Sequence, residues 1–267
     1  MAFYNYHQHK IKFSDEGNGP ALVLIHGYLE TLEVWDKLVP LLTNHFRVIR
    51  FDIPGHGESE MLDQTHSMSL MAETTNALLD HLQIESCTMV GHSMGGYVTL
   101  AFAELHPEKL KGFSLFHSSV FADNQEKKIA RAHEIALLEK GKQDEVTQNH
   151  LPKTFANQNL NRFSTELAAI KQAAKKHTPQ GISALIRGMM ERPDQQQMVQ
   201  SFQKPMLFLF GRYDNFIKPE AAGQMALLNP AIQIGWLENS GHMGMIEEPE
   251  RSVEIIVRFV EFCNGVK

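Results

Sequence analysis

The residues best able to do chemistry lie in Gly91-His92-Ser93-Met94-Gly95-Gly96, a G-x-S-x-G motif between an apolar run at 88–91 and a helical pattern at 94–105. In that setting the serine occupies a sharp strand-to-helix turn, and its hydroxyl is presented at the carboxyl end of the strand. Gly91 and Gly95 suit the turn because a Cβ at either would meet backbone passing close by. A hydroxyl is a weak nucleophile at neutral pH, so Ser93 needs a base to take its proton and a carboxylate to orient that base. The chain order expected for such an elbow is serine, acid, histidine. His242 follows the apolar run 232–237, and that position singles it out among 14 histidines as the base. Asp214, in Gly211-Arg212-Tyr213-Asp214 after the run 206–210, is the candidate acid, and Asp123, after the run 113–116, is the alternative.

Acyl transfer also requires two backbone N–H groups aimed at the oxyanion that develops on the attacked carbonyl. Met94 follows the nucleophile directly and sits at a helix N-terminus, so it is one expected donor. Tyr28, in His26-Gly27-Tyr28 after the run 21–25, is the other. His26 is read as a packing or hydrogen-bonding residue of that loop.

These residues need a scaffold that brings several strand ends together. Apolar runs at 21–25, 48–51, 88–91, 113–116, 206–210 and 232–237 lack period-2 alternation, which predicts strands buried on both faces of a parallel sheet. Helical patterns at 70–82, 94–105, 220–228 and 249–263 lie between or after them, and the alternation reads as a doubly wound α/β fold. One stretch breaks the rhythm. Residues 120–203 contain no strand-like run and are rich in Lys, Glu, Gln and Ala at helical spacing, which predicts a helical insert. Residues 1–119 and 204–267 then form one core. The insert carries 12 Lys+Arg and 9 Asp+Glu, a balance of +3, which leaves −9 for the remainder of a chain whose total is −6.

The acidic total argues against nucleic acid as a partner, because phosphate binding demands a basic excess. Cys87 and Cys263 offer neither a disulfide framework nor a metal-ligand cluster, so no metal site is expected and a reducing compartment is the default. The first ten residues lack the basic and apolar regions of a signal peptide, and no apolar stretch approaches the roughly 20 residues that span a bilayer. A soluble, cytoplasmic protein is the expectation.

Taken together, His26-Gly27, the stretch from Asp52 to Ser59, Gly91-His92-Ser93-Met94-Gly95-Gly96, Gly211-Arg212-Tyr213-Asp214 and Gly241-His242 resemble the serine-hydrolase branch of the α/β-hydrolase fold superfamily. The resemblance implies an eight-stranded, mostly parallel sheet flanked by helices, with 120–203 as a lid, and it treats 52–59 as a structural turn, so that His56 is not catalytic. The serine at position 93 disfavours the dehalogenase and epoxide-hydrolase branches, which would require aspartate there. The segment from Gly181 to Asp194 is similar to the lid-core junction of small carboxylesterases, a group that includes pimeloyl-acyl-carrier-protein methyl ester esterases and enol-lactonases.

The expected activity is hydrolysis of carboxylic esters with small or medium acyl groups through an acyl-enzyme, without metal or organic cofactor. Carbon-carbon bond hydrolysis, lactone hydrolysis and cofactor-free perhydrolysis stay open as alternatives on the same three residues, as does a ligand receptor that keeps the fold. Leu185, Ile186, Met189 and Met190 are candidates for an apolar ceiling over the substrate, with ordinary core packing as the competing reading. The positive insert permits docking of a carrier-linked or anionic substrate, an encounter that salt would weaken.

Overall fold

In the computed structural model, which describes residues 1–265, one eight-stranded sheet has the order β1-β2-β4-β3-β5-β6-β7-β8. Its strands are β1 (Ala2–Tyr6), β2 (His9–Glu16), β3 (Ala21–Ile25), β4 (Arg47–Phe51), β5 (Cys87–His92), β6 (Leu110–Phe116), β7 (Met206–Gly211) and β8 (Ile232–Leu237). From β4 to β8 every neighbouring pair is parallel, whereas β1 and β2 pair antiparallel and β2 joins β4 antiparallel. The six apolar runs coincide with β3 to β8. The β1–β2 hairpin is an addition to them, and its turn explains why: His7 and Gln8 both hold positive φ, at 44° and 77°. Asn-Gly is the usual signature of that geometry, and this turn lacks it.

The helices, in chain order, are α1 (Val39–Leu42), α2 (Met68–His81), α3 (Met94–Leu105), α4 (Gln125–Glu139), α5 (Gln143–His150), α6 (Ser164–Ala174), α7 (Pro179–Glu191), α8 (Gln196–Ser201), α9 (Pro219–Ala226), α10 (Gly244–Glu247) and α11 (Pro249–Cys263). Side chains that alternate along β3 divide the core. Val23 and Ile25 join one apolar cluster with α2 and α3, while Leu22 and Leu24 join the other with Trp35 and α11. Each such side chain contributes about 1.5–3 kcal/mol when fully buried. Because both faces are covered, β5 and β7 are buried at every position; β8, at the sheet edge, is partly exposed.

Helices α4 to α8 all fall between β6 and β7. Asn124 caps α4 by accepting from Lys127 N, and Thr178 caps α7 by accepting from Gly181 N, with Pro179 at the first helical position. The two helices differ in how they meet the core. A Cβ at Gly181 would lie 2.3 Å from the Gly55 carbonyl oxygen and one at Gly188 1.8 Å from that of His66. These two glycines therefore let α7 lie directly against core backbone, and Leu185 and Ile186 are fully buried beside them. On α4 only Leu137 and Leu138 are buried.

Candidate active site

Ser93 directly follows β5 and caps α3 with φ 51° and ψ −114°, a conformation strained for any residue with a side chain. Close packing holds it there. A Cβ on Gly91 would approach the Gly95 carbonyl oxygen to 2.3 Å, and one on Gly95 would approach that of Ile25 to 2.4 Å. Ser93 N donates to Phe116 O, and the Ser118 hydroxyl donates to Ser93 O, so the end of β6 and the loop after it hold the turn at both its N–H and its carbonyl.

Asp214 lies in the loop after β7. Its Oδ1 accepts from Phe216 N at 2.7 Å and Ile217 N at 3.0 Å, which turns Oδ2 toward His242 Nδ1, 2.7 Å away. Burial alone would raise the Asp214 carboxyl, but attraction to His242 and the N–H groups of His117 and His242 outweigh it and hold it well below the carboxylate range. His242 follows β8 and donates its backbone N–H to Thr154 O at 2.7 Å. Asp123, the alternative acid, contacts Arg131 and Arg192 instead.

The backbone N–H groups of Tyr28 and Met94 take no acceptor among the described residues. Tyr28 precedes Leu29, which is held at φ 63° while its N–H donates to His56 Nε2. One of these N–H groups belongs to the loop after β3, whose Tyr28 lines a cavity with Ser93, and the other to the first turn of α3.

Behind these loops lies an ion pair that sequence reasoning missed. His92 Nδ1 is 2.9 Å from Glu30 Oε2, and His92 Nε2 is 2.8 Å from the His242 carbonyl oxygen. Both ring nitrogens thus face acceptors, so both carry protons and the ring is cationic. Burial opposes the charge, but Glu30 raises the His92 pKa, while His92 and Gly27 N–H hold Glu30 below its ordinary value despite burial. Since Glu30 Oε2 also accepts from Gly27 N at 2.7 Å, one buried pair ties the Tyr28 loop, the serine turn and the His242 loop together. The His-Gly-x-x-Glu spacing from His26 to Glu30 was the available signal; its partner, 62 residues away, was not.

His117, also missed, directly follows β6 beside the site. Its Nε2 accepts from Gly244 N, so the proton is on Nδ1, which points obliquely at Asp214 Oδ2 from 3.3 Å. His117, Asp214 and His242 bring potential metal-ligand atoms within 4.8 Å of one another. His242 Nδ1 is committed to Asp214 and His117 Nε2 to Gly244, so these ring nitrogens are not open to a metal.

Ser93 and His242 line a cavity of about 180 Å³, with no hydrogen bond between them. Active sites without substrate often leave this bond unmade. Of the four residues expected as an apolar ceiling, Met189 lines the cavity, whereas Leu185 and Ile186 are packed into the core and Met190 packs against it. The wall from α4 is polar instead: Lys127, Arg131 and Glu134 recur at helical spacing, a pattern visible in the sequence, and Glu134 accepts from the Tyr28 hydroxyl at 3.1 Å. His150 and Phe216 close another side, with His150 edge-on to Tyr28 and Phe216 4.9 Å from the His242 ring.

The profile of the α/β-hydrolase fold family matches residues 20–249. The chain belongs to this family. A pimeloyl-[acyl-carrier protein] methyl ester esterase of Aeromonas hydrophila is 27% identical over 262 residues, covering 91% of this chain and 96% of its own length. The dihydrolipoyllysine-residue acetyltransferase component of an acetoin cleaving system from Pseudomonas putida is 28% identical over 245 residues; the match covers 92% of this chain but 64% of that longer protein. Among solved structures, a thermophilic esterase from Thermogutta terrifontis with malate bound superposes on this hydrolase with a TM-score of 0.92 at 28% identity, covering 96% of this chain and 94% of the other. No helix among the described residues is long and apolar enough to cross a membrane.

Proposed function

We propose that this hydrolase cleaves carboxylic esters of small molecules by acyl transfer. The carrying observation is the 2.7 Å contact of His242 Nδ1 with a fully buried Asp214 carboxylate, in a cavity that His242 shares with the strained Ser93. Asp214 fixes the imidazole tautomer that leaves Nε2 free to accept the Ser93 proton, and it stabilises the imidazolium that results. The Ser93 oxygen attacks the ester carbonyl, and the N–H groups of Tyr28 and Met94 receive the negative charge that develops on the carbonyl oxygen. His242 then protonates the leaving alcohol, and water activated by the same ring hydrolyses the acyl-enzyme. This sequence draws on no cofactor. Helices α4 to α8 act as the lid, and esterase relatives at 27% and 28% identity support the choice of bond.

A cavity of about 180 Å³ is below the roughly 300–1,000 Å³ of sites that hold drug-sized ligands, so short esters should be preferred. The test combines a fluorophosphonate probe with p-nitrophenyl esters of increasing chain length. Labelling at Ser93, lost in Ser93→Ala, together with turnover that falls beyond short acyl chains, is the expected result. An unlabelled protein, or equal turnover of acetate and dodecanoate esters, would contradict the reading.

A further inference from the structure

Lys127 and Arg131 stand one turn apart on α4, and both line the cavity that holds Ser93 and His242. Arg131 is positioned from behind. Its Nε donates to Asp123 Oδ2 at 2.5 Å, and the other Asp123 oxygen lies 2.9 Å from Arg192. Arg192 is fully engaged, since it donates to Met189 O at 2.7 Å and Phe121 O at 2.9 Å and lies 3.8 Å above the Tyr97 ring. One buried carboxylate therefore serves two guanidinium groups, which leaves a positive excess at the cavity wall.

The terminal nitrogens of Arg131 and the Lys127 ammonium have no partner among the described residues. Glu134, the acidic side chain on the same wall, accepts from the Tyr28 hydroxyl and attracts Arg131, so that Lys127, Arg131 and Arg192 against Asp123 and Glu134 leave one net positive charge. A guanidinium held by its Nε alone keeps terminal N–H donors for an incoming carboxylate, and the ammonium adds a second charge.

We infer that Lys127 and Arg131 form an anion subsite for a carboxylate carried by the substrate, so that the ester cleaved at Ser93 is a half-ester of a small dicarboxylic acid or a comparable carboxylated ester. This rests on the hydrolase reading for the reacting bond, but the subsite can be tested without turnover. Because the cavity is small, the carboxylate belongs to a small molecule whose ester carbonyl reaches the serine at the same time.

Binding of glutarate is measured by calorimetry and thermal shift at low and high salt, with inorganic phosphate as the competing anion, in the native protein, Lys127→Glu and Arg131→Gln. The ratio of kcat/KM for monomethyl glutarate to that for methyl butanoate is measured in parallel by proton release. Lys127 is exposed and Arg192 still faces Asp123 when Arg131 is removed, so at least Lys127→Glu keeps the fold intact. Charge-assisted hydrogen bonds of this kind correspond to roughly 10–100-fold.

Support would be salt-sensitive glutarate binding and a kcat/KM ratio of about 10 or more in the native protein, both collapsing in the two variants. Turnover of methyl butanoate with no anionic preference and no glutarate binding would overturn the subsite while leaving the hydrolase standing. Absent ester turnover and absent Ser93 labelling would instead remove the hydrolase reading. The glutarate titration then decides the subsite by itself, with binding lost in Lys127→Glu sustaining it and unchanged binding refuting it. Phosphate binding tighter than glutarate would also refute it.

Discussion

Two groups of buried histidines lie in this core and use the same ring in opposite ways. His92 and His242 face carboxylates, Glu30 and Asp214. His26, His56, His66 and His177 face backbone, where each ring accepts an N–H, from Ile53, Leu29, Leu62 and Gly57 respectively. An imidazole that accepts a hydrogen bond at one nitrogen must be neutral, and burial favours that state. Accordingly, burial pushes His66 and His177 down to about 4 and His56 well below its ordinary value, while His92 moves the other way. What a histidine does is set by the atom opposite it, and a count of 14 says nothing about that.

The largest expected difference between the groups is catalytic. His242→Ala should lower kcat by about 10⁴–10⁶, whereas His56→Gln, read with the same short ester, should cost less than tenfold. Comparable losses would mean that the backbone-facing histidines are also part of the chemistry. Asp214→Asn should follow at roughly 10⁴, because the amide holds the imidazole in the wrong tautomer.

Glu30→Gln tests the ion pair through stability, since removal of one partner of a buried pair costs about 3–5 kcal/mol. The contribution of His92, whose pKa is raised, is full below its ordinary 6.5 and is lost as pH rises through the raised value. That of Glu30, whose pKa is lowered, is full above its ordinary 4.5 and is lost as pH falls through the lowered value. The deficit of Glu30→Gln in thermal unfolding should therefore be greatest between pH 4.5 and 6.5, and a deficit independent of pH would break the assignment of charge.

The smallest expected effect belongs to the neutral group and has the opposite sign. Between pH 6.5 and about 4 the unfolded chain binds protons that folded His177 does not, so His177 lowers stability progressively as pH falls through that window. His177→Gln should flatten the fall in Tm between pH 7 and pH 5 by a few degrees. A steeper fall in the variant would show that His177 is charged when folded.

Much of the framework was legible because it rests on local patterns: apolar runs for β3 to β8, glycines around Ser93, and loops after β7 and β8 for Asp214 and His242, the pair that meets in space. The rest depended on partners distant in sequence. Glu30 and His92 are individually unremarkable, and their meaning comes from a contact between the loop after β3 and the end of β5. The apolar face of α7 looked like a substrate ceiling because Leu, Ile and Met at helical spacing suit either a pocket or a core. Gly181 and Gly188 bring the helix backbone against Gly55 and His66, which packs Leu185 and Ile186 into the core and leaves Met189 at the cavity beside the charged face of α4.

That pinned helix has an engineering consequence. Any bulkier residue at 181 or 188 must push α7 off the core, so randomising this helix would trade away folding before it changed selectivity. Lys127 and Ala130 are exposed and look into the cavity from a helix with few buried side chains, so a library confined to them can reshape what the enzyme accepts while the contacts of Arg131 to Asp123 and of Glu134 to Tyr28 stay as they are.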